Sequence, residues 1–303
     1  MRISIIVVNY NGKELLAKYL PSLLAAANKS KYQCSVGVID NLSTDGSVDF
    51  IRNNFLSVEV FLSQKNEVIC SYNAVLERIS SDIVIMLNND IEVKDDFVDY
   101  LVEHFNKQDV FFVAPRILNF DNSYNGGKSY LKFSLGLLKC IVDEKNSLNP
   151  GYTDCIGTGA FRRSTFVELG GFDRLYLPGI WEEVDLCYRG LLSGKRGVYE
   201  PRSIIWHQDS ITFNKIYGRK KKAVLAHRNM FLFIWKNIFD FKLILQHILF
   251  LPFRLIYSLI TGKNELFIGF MQALAYLPVL TKERASGREN LKLRRLRDRD
   301  IIK

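Results

Sequence analysis

The sequence has few of the residues that would build a disulfide framework or a zinc site. Its five cysteines are scattered, and no two of them form a C-x-x-C pair. An odd number of widely separated cysteines is typical of reduced thiols in the cytosol. The chain also lacks a G-x-x-x-x-G-K-[ST] loop, and its Gly-Thr-Gly run is too short for a dinucleotide fingerprint. These absences argue against P-loop kinases and nicotinamide-dependent dehydrogenases.

The N-terminus has one basic residue and only a short apolar run, which favours a first strand over a signal peptide. We therefore expect the catalytic part to face the cytoplasm. The chain does have apolar residues, which make up 48% of its 303 positions. That is enough for one large core, or for one domain and a smaller appendage.

Positive charge is concentrated near the end of the chain. The net charge is +9, and basic residues cluster in segments 213–222 and 282–303. This clustering predicts an anionic partner for the C-terminal third. The basic residues accompany long aliphatic runs instead of a base-reading motif, so we expect no nucleic-acid partner.

Short β-branched runs alternate with helical patterns in the first part of the chain. We predict strands at residues 3–8, 35–39, 58–62, 83–87 and 110–114, with amphipathic helices between them. This alternation is typical of an α/β fold with a mostly parallel, doubly wound sheet. No strand is predicted beyond residue 212, and residues 231–280 look helical, with breaks near Pro252, Gly262 and Pro278. We therefore predict two domains, 1–212 and 213–303.

Polar side chains follow three of the predicted strands. They are Asn9-Tyr10-Asn11, Asp40-Asn41 and Asn88-Asn89-Asp90. Ligands of such sheets bind at the carboxyl ends of the strands. Asp90 is placed to hold a hard divalent cation, or it is simply part of a polar Asn/Asp turn where the strand ends. Asp40 is placed to accept hydrogen bonds from a nucleoside, or it opens the turn that follows it.

A cluster of carboxylates occupies residues 181–189, and Glu182 and Asp185 would share a helix face there. Crowded carboxylates can have the raised pKa that a general base needs. The alternative is an acidic helix N-terminus favoured by the helix dipole. The glycine-rich residues 157–161 could let a substrate approach the backbone closely. His207, taken alone, is more typical of a packed histidine than of a ligand.

Read in order, these motifs resemble the family 2 glycosyltransferases with a GT-A fold, especially the non-processive, rhamnosyltransferase-like members. The resemblance covers residues 3–210 and includes the strand-end polar residues, the asparagines at 66 and 73, and the acidic segment. It departs from the family at Val68, where a glycine is usual, and at Glu183, where an aspartate is expected. A processive synthase would carry a Q-x-x-R-W segment, which is missing here.

The resemblance implies an inverting, single-displacement transfer of a sugar from a nucleotide diphosphate. It implies Mg²⁺ or Mn²⁺ on Asp90 and His207, and Glu183 as the base, with Asp185 in reserve and Glu182 beside them. It further implies Gly159 and Trp181 on the acceptor side. The implied donor-binding residues are Asn9, Tyr10, Asn11, Asp40, Asn66, Asn73, Asn88 and Asn89.

The expected donor is dTDP-rhamnose or a UDP-hexose, and the expected acceptor is a saccharide, which similar enzymes often take on a polyprenyl lipid. Residues 243–260 and 266–281 fit interfacial helices better than spanning ones. The tail leucines at 291, 293 and 296 lie among arginines, as in a basic amphipathic helix. We therefore expect a peripheral protein at the inner face of the cell membrane.

Two alternatives stay open at the level of sequence. The C-terminal helices could instead cap the catalytic domain or form a homo-oligomer interface. The departures at Val68 and Glu183 also allow a non-catalytic, membrane-associated protein that binds nucleotide sugars.

Overall fold

The computed structural model describes residues 1–207, 211–286 and 294–303, with the side chains of 211–217 and 283–286 excepted. The strands are β1 (Arg2–Asn9), β2 (Gln33–Asp40), β3 (Val58–Leu62), β4 (Ile83–Asn88), β5 (Ile91–Val93), β6 (Val110–Leu118), β7 (Tyr124–Gly126), β8 (Ser129–Ser134), β9 (Leu137–Val142), β10 (Gly151–Tyr152), β11 (Gly159–Arg162) and β12 (Arg196–His207). The strands predicted from β-branched runs are confirmed.

The helices are α1 (Lys13–Lys29), α2 (Ser47–Asn54), α3 (Tyr72–Arg78), α4 (Phe97–Val102), α5 (Arg163–Glu168), α6 (Glu182–Leu192), α7 (Ile211–Asn237), α8 (Phe241–Ile260), α9 (Glu265–Leu274), α10 (Leu277–Ser286) and α11 (Asp298–Ile301). Helix α7 is two helical pieces joined at Gly218, whose φ of +72° lies in the left-handed region.

The main sheet is mostly parallel, as predicted. Its strand order is β10-β12-β6-β11-β4-β1-β2-β3, and β5 and β7 pair at its side. β1 runs parallel to both β2 and β4, so these three strands end at the same edge. β11 is antiparallel to β4 and β6 and inserts between them. The expected α/β class is confirmed.

Helices cover both faces of the sheet. On one face, α1 buries Leu16, Leu20 and Leu23 at the 3.6-residue spacing of an amphipathic helix. The core on the other face includes Phe231 and Phe233 of α7, both fully buried. The C-terminal region thus shares a core with the α/β part, and the division at residue 212 stays a prediction.

The breaks expected in the C-terminal helices hold only in part. α8 ends before Gly262, as expected, but it runs through Pro252 without ending there, so that predicted break is wrong. Pro252 has no backbone N–H, so the carbonyl four residues earlier loses its helical hydrogen bond. The other backbone hydrogen bonds of a 20-residue helix can remain.

The end of the chain packs on the protein. Asp298 is buried, accepts a hydrogen bond from the Tyr188 hydroxyl at 2.5 Å, and accepts one from the backbone of Asp240. Lys303 exchanges backbone hydrogen bonds with β8 at 2.9 Å. Leu291 and Leu293 of the predicted amphipathic tail lie outside the described residues.

One helix among the described residues, α8, has the length and apolar composition of a membrane span. The same composition also occurs in core helices, but most of α8 is not buried: Phe253 and Ile260 are 71% and 79% exposed. The outer side of α8 is therefore a large uncovered apolar surface.

Candidate active site

Three strand ends meet in a network that we call the carboxyl edge, made of Asn9, Asp40 and the turn Asn88–Asp90. Asn9 is buried, and its amide nitrogen donates to an Asp40 carboxylate oxygen at 3.1 Å. Its amide oxygen accepts from the Asn89 side chain at 2.7 Å. The parallel register places Asn9 directly beside Asp40, and these polar residues meet at one edge of the sheet.

The loop after β1 is fitted closely to this network. A Cβ atom on Gly12 would lie 2.0 Å from the Asn89 amide nitrogen and 2.6 Å from the Asn9 amide oxygen, so a larger residue would displace the side chains of this network. Asn11 adopts a left-handed φ of +48° and accepts a hydrogen bond from the Thr44 backbone at 2.7 Å. Tyr10 is 41% exposed at the rim. A flat ring there is accessible to a ligand.

The segment before α3 keeps the backbone shape that a glycine would give. Val68 has a φ of +51°, which is an outlier for a β-branched residue. Its N–H donates to the Asn66 side chain at 3.2 Å, and its carbonyl accepts from Asn41 at 3.0 Å. The valine at this position therefore carries conformational strain that a glycine would not.

Asn73 is engaged on the other side of the site. Its amide oxygen accepts from the Phe172 N–H at 2.9 Å, and its nitrogen donates to the Phe172 carbonyl at 2.8 Å. These two hydrogen bonds connect α3 to the turn before the acidic segment. The donor contact expected of Asn73 stays a prediction.

Asp90 and His207 face each other across a strand pair. Asp90 lies in the turn between β4 and β5, and β5 pairs with β12 so that His207 is opposite Ile91. The His207 Nε2 is 3.2 Å from Asp90 Oδ1. That oxygen is buried but accepts no hydrogen bond. Two ligand-type atoms thus lie within ion-pair distance, although no hydrogen bond joins them.

This pair fits a divalent cation. Carboxylate and imidazole are accepted ligands of Mn²⁺, and Mg²⁺ takes one or two carboxylates together with phosphate oxygens. An orphaned buried carboxylate oxygen is costly unless a cation or water satisfies it. The side chains of Asp90 and His207 remain 11% and 15% exposed, so a diphosphate can reach them.

Another group of metal-type ligands lies elsewhere, at Glu103, His104 and Glu200. The Arg202 guanidinium already pairs with both glutamates, and the His104 Nε2 is 2.8 Å from Glu200. Hydrogen bonds from Arg202 and His104 hold the pKa of buried Glu200 at about 2, although its burial opposes this. We interpret this group as an ion-pair cluster.

Among the three acids of the segment, Glu183 lines a small pocket with room for about one water molecule. It shares that pocket with Asn88 of the carboxyl edge and with Gly157, Tyr72 and Phe172. Burial raises the pKa of Glu183 to about 7. A carboxylate that is half ionised near neutral pH has the basicity that proton abstraction requires.

The two neighbouring acids have different surroundings. Glu182 is fully buried, and neither of its carboxylate oxygens accepts a hydrogen bond. Burial, followed by the nearby charge of Glu183, raises the pKa of Glu182 well above its usual value.

Asp185 is saturated with partners. It receives hydrogen bonds from Tyr176 at 2.9 Å, Arg189 at 2.7 Å, Lys236 at 3.0 Å and Asn237 at 2.7 Å. The charges of Lys236 and Arg189 hold its pKa well below the usual range, against the effect of burial. Asp185 thus anchors α6 to α7.

The loop at residues 176–181 is held in a strained conformation just before these acids. Ile180 and Trp181 both have left-handed φ values, +71° and +89°. Consecutive strained residues persist only where the surroundings enforce them, and such strain clusters at functional sites. The Trp181 ring packs on Phe233 of α7 at 5.2 Å between centroids.

Residues of α7 that sequence reasoning missed hold this loop. The fully buried Asn229 amide donates to the carbonyls of Tyr176, Gly179 and Ile180 at 2.7, 2.8 and 2.7 Å. Arg228 donates to the Leu177 carbonyl at 2.6 Å. The signal that could have found them is an Arg-Asn pair directly before an apolar run in a helix.

Gly159 supports the site from behind. A Cβ atom there would lie 2.5 Å from the Val113 carbonyl, and its φ is +148°. Glycine is required because β11 passes very close to β6. Gly159 therefore fixes the path of the backbone that follows Gly157 in the pocket.

Comparison with known proteins agrees with this geometry. The model of the family "Glycosyl transferase family 2" matches residues 4–170. The pre-mycofactocin glycosyltransferase of Mycobacterium tuberculosis is 30% identical over 152 residues, which are 49% of this chain and 31% of that protein. The poly-beta-1,6-N-acetyl-D-glucosamine synthase of Staphylococcus aureus is 25% identical over 213 residues, 67% of this chain and 49% of that protein.

The chain spans at most about half the length of these relatives. Among solved structures, GalNAc-T7 with UDP, GalNAc and Mn²⁺ superposes with a TM-score of 0.58 at 18% identity, over 78% of this chain and 48% of that one. This likeness shows the fold alone. The rhamnosyltransferase-like subtype stays a prediction. The family model covers more than half of the 303 residues, and the chain belongs to glycosyl transferase family 2.

Proposed function

We propose that the protein transfers a sugar from a nucleotide diphosphate donor to a hydroxyl of a saccharide acceptor, in one displacement with inversion. The observation that carries this proposal is Glu183, a carboxylate with a pKa of about 7 in the same pocket as Asn88 of the carboxyl edge. A base on one side and a diphosphate site on the other are the two groups that such a displacement needs.

The carboxyl edge receives the donor. Asp40 accepts hydrogen bonds from the base or ribose, and the Asn9 amide holds it in position. Asp90 and His207 would hold Mg²⁺ or Mn²⁺, which supplies positive charge to the diphosphate as it leaves. The solved GalNAc-T7 complex with UDP and Mn²⁺ supports this pairing of nucleotide and cation.

Glu183 takes the proton of the acceptor hydroxyl while the acceptor oxygen bonds to the anomeric carbon and the nucleotide diphosphate departs. Asp185 serves as a positioning residue because four donors already surround it. Glu182 is enclosed, neither of its carboxylate oxygens accepts a hydrogen bond, and burial raises its pKa well above the usual value, so it is a poorer candidate for the base than Glu183. Trp181 and Gly159 shape the acceptor side.

A panel of nucleotide sugars tests this function. We expect dTDP-rhamnose or a UDP-hexose to bind with Mn²⁺ or Mg²⁺ and to be slowly hydrolysed, with loss of hydrolysis in EDTA. Calorimetry measures binding, and release of the nucleoside diphosphate measures hydrolysis. Binding without any release of diphosphate, in the presence of saccharide acceptors, would instead support the non-catalytic alternative.

We further propose that the exposed face of α8 rests on an anionic membrane, so that the acceptor can be carried on a polyprenyl lipid in the assembly of a cell-surface polysaccharide. The polysaccharide synthase relative supports such a product class. Exposed apolar side chains on this face include Phe253, Ile256 and Ile260. Lys242 and Lys263 lie exposed at the two ends of the helix, where they can reach headgroups. The protein would then act at the cytoplasmic face.

Flotation with liposomes tests the membrane proposal. We expect the protein to float with phosphatidylglycerol vesicles and the double variant Phe253→Ser/Ile256→Ser to stay at the bottom. The control is Leu56→Ser, since Leu56 is 90% exposed on the loop between α2 and β3. Equal flotation of both variants, or a stable dimer in light scattering without vesicles, would contradict it in favour of an oligomer interface.

A further inference from the structure

Two thiols from separate segments meet close in sequence to Gly157, which lines the pocket of Glu183. Cys140 lies on β9, and Cys155 lies in the segment between β10 and β11. Their Sγ atoms are 2.8 Å apart. A covalent S–S bond is about 2.05 Å long, so a side-chain movement of less than about 1 Å would join them.

The backbone on both sides of this pair is held firmly. Cys140 is paired with Leu131 in the β8–β9 hairpin. The Cys155 carbonyl accepts hydrogen bonds from Ser129 Oγ at 2.9 Å and Thr153 Oγ1 at 3.1 Å. The close approach of the two sulfurs is therefore imposed by two fixed segments, which favours a bond that needs no backbone rearrangement.

The two thiols have complementary surroundings. Cys140 is exposed, whereas Cys155 is buried. A hydrogen bond from Cys155 lowers the pKa of the Cys140 thiol. The same contact, together with burial, raises the pKa of Cys155 well above its usual value. An exposed cysteine whose thiol lies beside a buried one is the arrangement of an attacking and a resolving cysteine.

We propose that Cys140 and Cys155 form a reversible thiol–disulfide modification site that reacts with low-molecular-weight disulfides. The Cys140 thiolate attacks one sulfur of the reagent, its S–S bond breaks, and one thiolate leaves. Cys155 then loses its proton and attacks Cys140 Sγ, which expels the second thiol. The protein gives up two protons and two electrons, and the reagent becomes two thiols.

The bond would act on the acceptor side of the pocket. It would join β9 to a residue two positions before Gly157, which lines the pocket with Glu183. A crosslink between residues 15 apart restricts the unfolded chain and local opening. We expect the oxidised form to protect the backbone of residues 153–159.

Oxidation of the purified full chain with glutathione disulfide tests this site. We expect the intact mass to fall by two hydrogens, peptide mapping to join Cys140 to Cys155, and dithiothreitol to reverse both. Hydrogen exchange should slow in residues 153–159 and stay unchanged in β2. These readouts do not require transferase activity, so they stand apart from the proposed function.

Two variants make the test specific. Cys140→Ser should abolish the internal crosslink while the protein remains folded, because the side chain is at an exposed strand position. Cys34→Ser, on β2, should leave the crosslink intact. The proposal is overturned if glutathione stays attached to Cys140 while Cys155 remains a free thiol, or if Cys155 is found joined to Cys187 instead.

Discussion

The carboxyl edge and the 176–181 loop, which precedes the acidic segment, are the two parts of the proposed site, and the chain holds them in different ways. In the carboxyl edge, Asn9 joins Asp40 and Asn89, and each of these residues ends or directly follows a strand. In the loop, the backbone is bound by Asn229, about fifty residues further along the chain. The sheet alone can build the first region, whereas the second depends on a helix outside the matched family region.

The largest effect is expected from the carboxyl edge. Asp90→Ala should lower turnover by about 10³-fold or more, because it removes a charge that would hold the cation against the diphosphate. Release of nucleoside diphosphate with and without Mn²⁺ measures this, and circular dichroism checks the fold.

The matched control is Asp95→Ala, an exposed aspartate that pairs with Lys29. It should change turnover less than about twofold, as surface ion pairs contribute little. An Asp90→Ala protein that still turns over at the original rate would show that the cation is held elsewhere.

On the loop side, Glu183→Gln should lower kcat by about 10²- to 10³-fold while the donor Kd stays unchanged. The wild-type kcat/KM should rise as pH increases through about 7 and then level off, because the base must be ionised. The pKa of Glu183 is higher in the folded protein than in the unfolded chain, so the folded state binds this proton more tightly. Protonated Glu183 therefore stabilises the fold at low pH, and this contribution is lost between about pH 4.5 and 7.

Asp185→Asn separates the two acids. It leaves Lys236 and Arg189 without their shared carboxylate, so the free energy of unfolding should fall by about 3 kcal/mol or more. A folded Asp185→Asn protein without activity, alongside an active Glu183→Gln protein, would assign the base to Asp185.

A smaller effect is expected from the helix that holds the loop. Asn229→Ala removes the side-chain amide that donates to three loop carbonyls and should cost about 2 kcal/mol in urea unfolding. It should raise the acceptor KM more than the donor Kd. Asn54→Ala, which removes an exposed bond to the Phe50 carbonyl, is the control and should cost well under about 1 kcal/mol. Equal changes for donor and acceptor would mean that α7 supports both regions.

The smallest effect concerns backbone strain at Val68, whose carbonyl accepts a hydrogen bond from Asn41. Val68→Gly should raise the free energy of unfolding by about 1 kcal/mol, because glycine adopts a φ of +51° without strain. Val167→Gly in helix α5 has the opposite expectation, a loss of about 0.5 kcal/mol. A destabilised Val68→Gly protein would show that the Val68 side chain contributes more packing than its backbone costs.

The carboxyl edge could be predicted because its residues follow from strand periodicity. Apolar runs located β1, β2 and β4, and parallel pairing then required Asn9 and Asp40 to be neighbours. The acidic segment could be located, but the roles within it could not be separated. Glu183 lines a pocket, Glu182 is enclosed and Asp185 pairs with Lys236. These differences depend on contacts with residues that are fifty or more positions away in the sequence.

The sequence by itself determined the α/β class, the strand-end polar residues and the resemblance that led to Asp90 and His207, because these depend on local periodicity and residue order. Only the tertiary structure decided that α7 shares the core and holds the 176–181 loop, that Pro252 lies inside α8, and that Glu183 has a pKa of about 7. Burial and charge pairing are properties of atoms brought together from distant segments, and no local pattern specifies them.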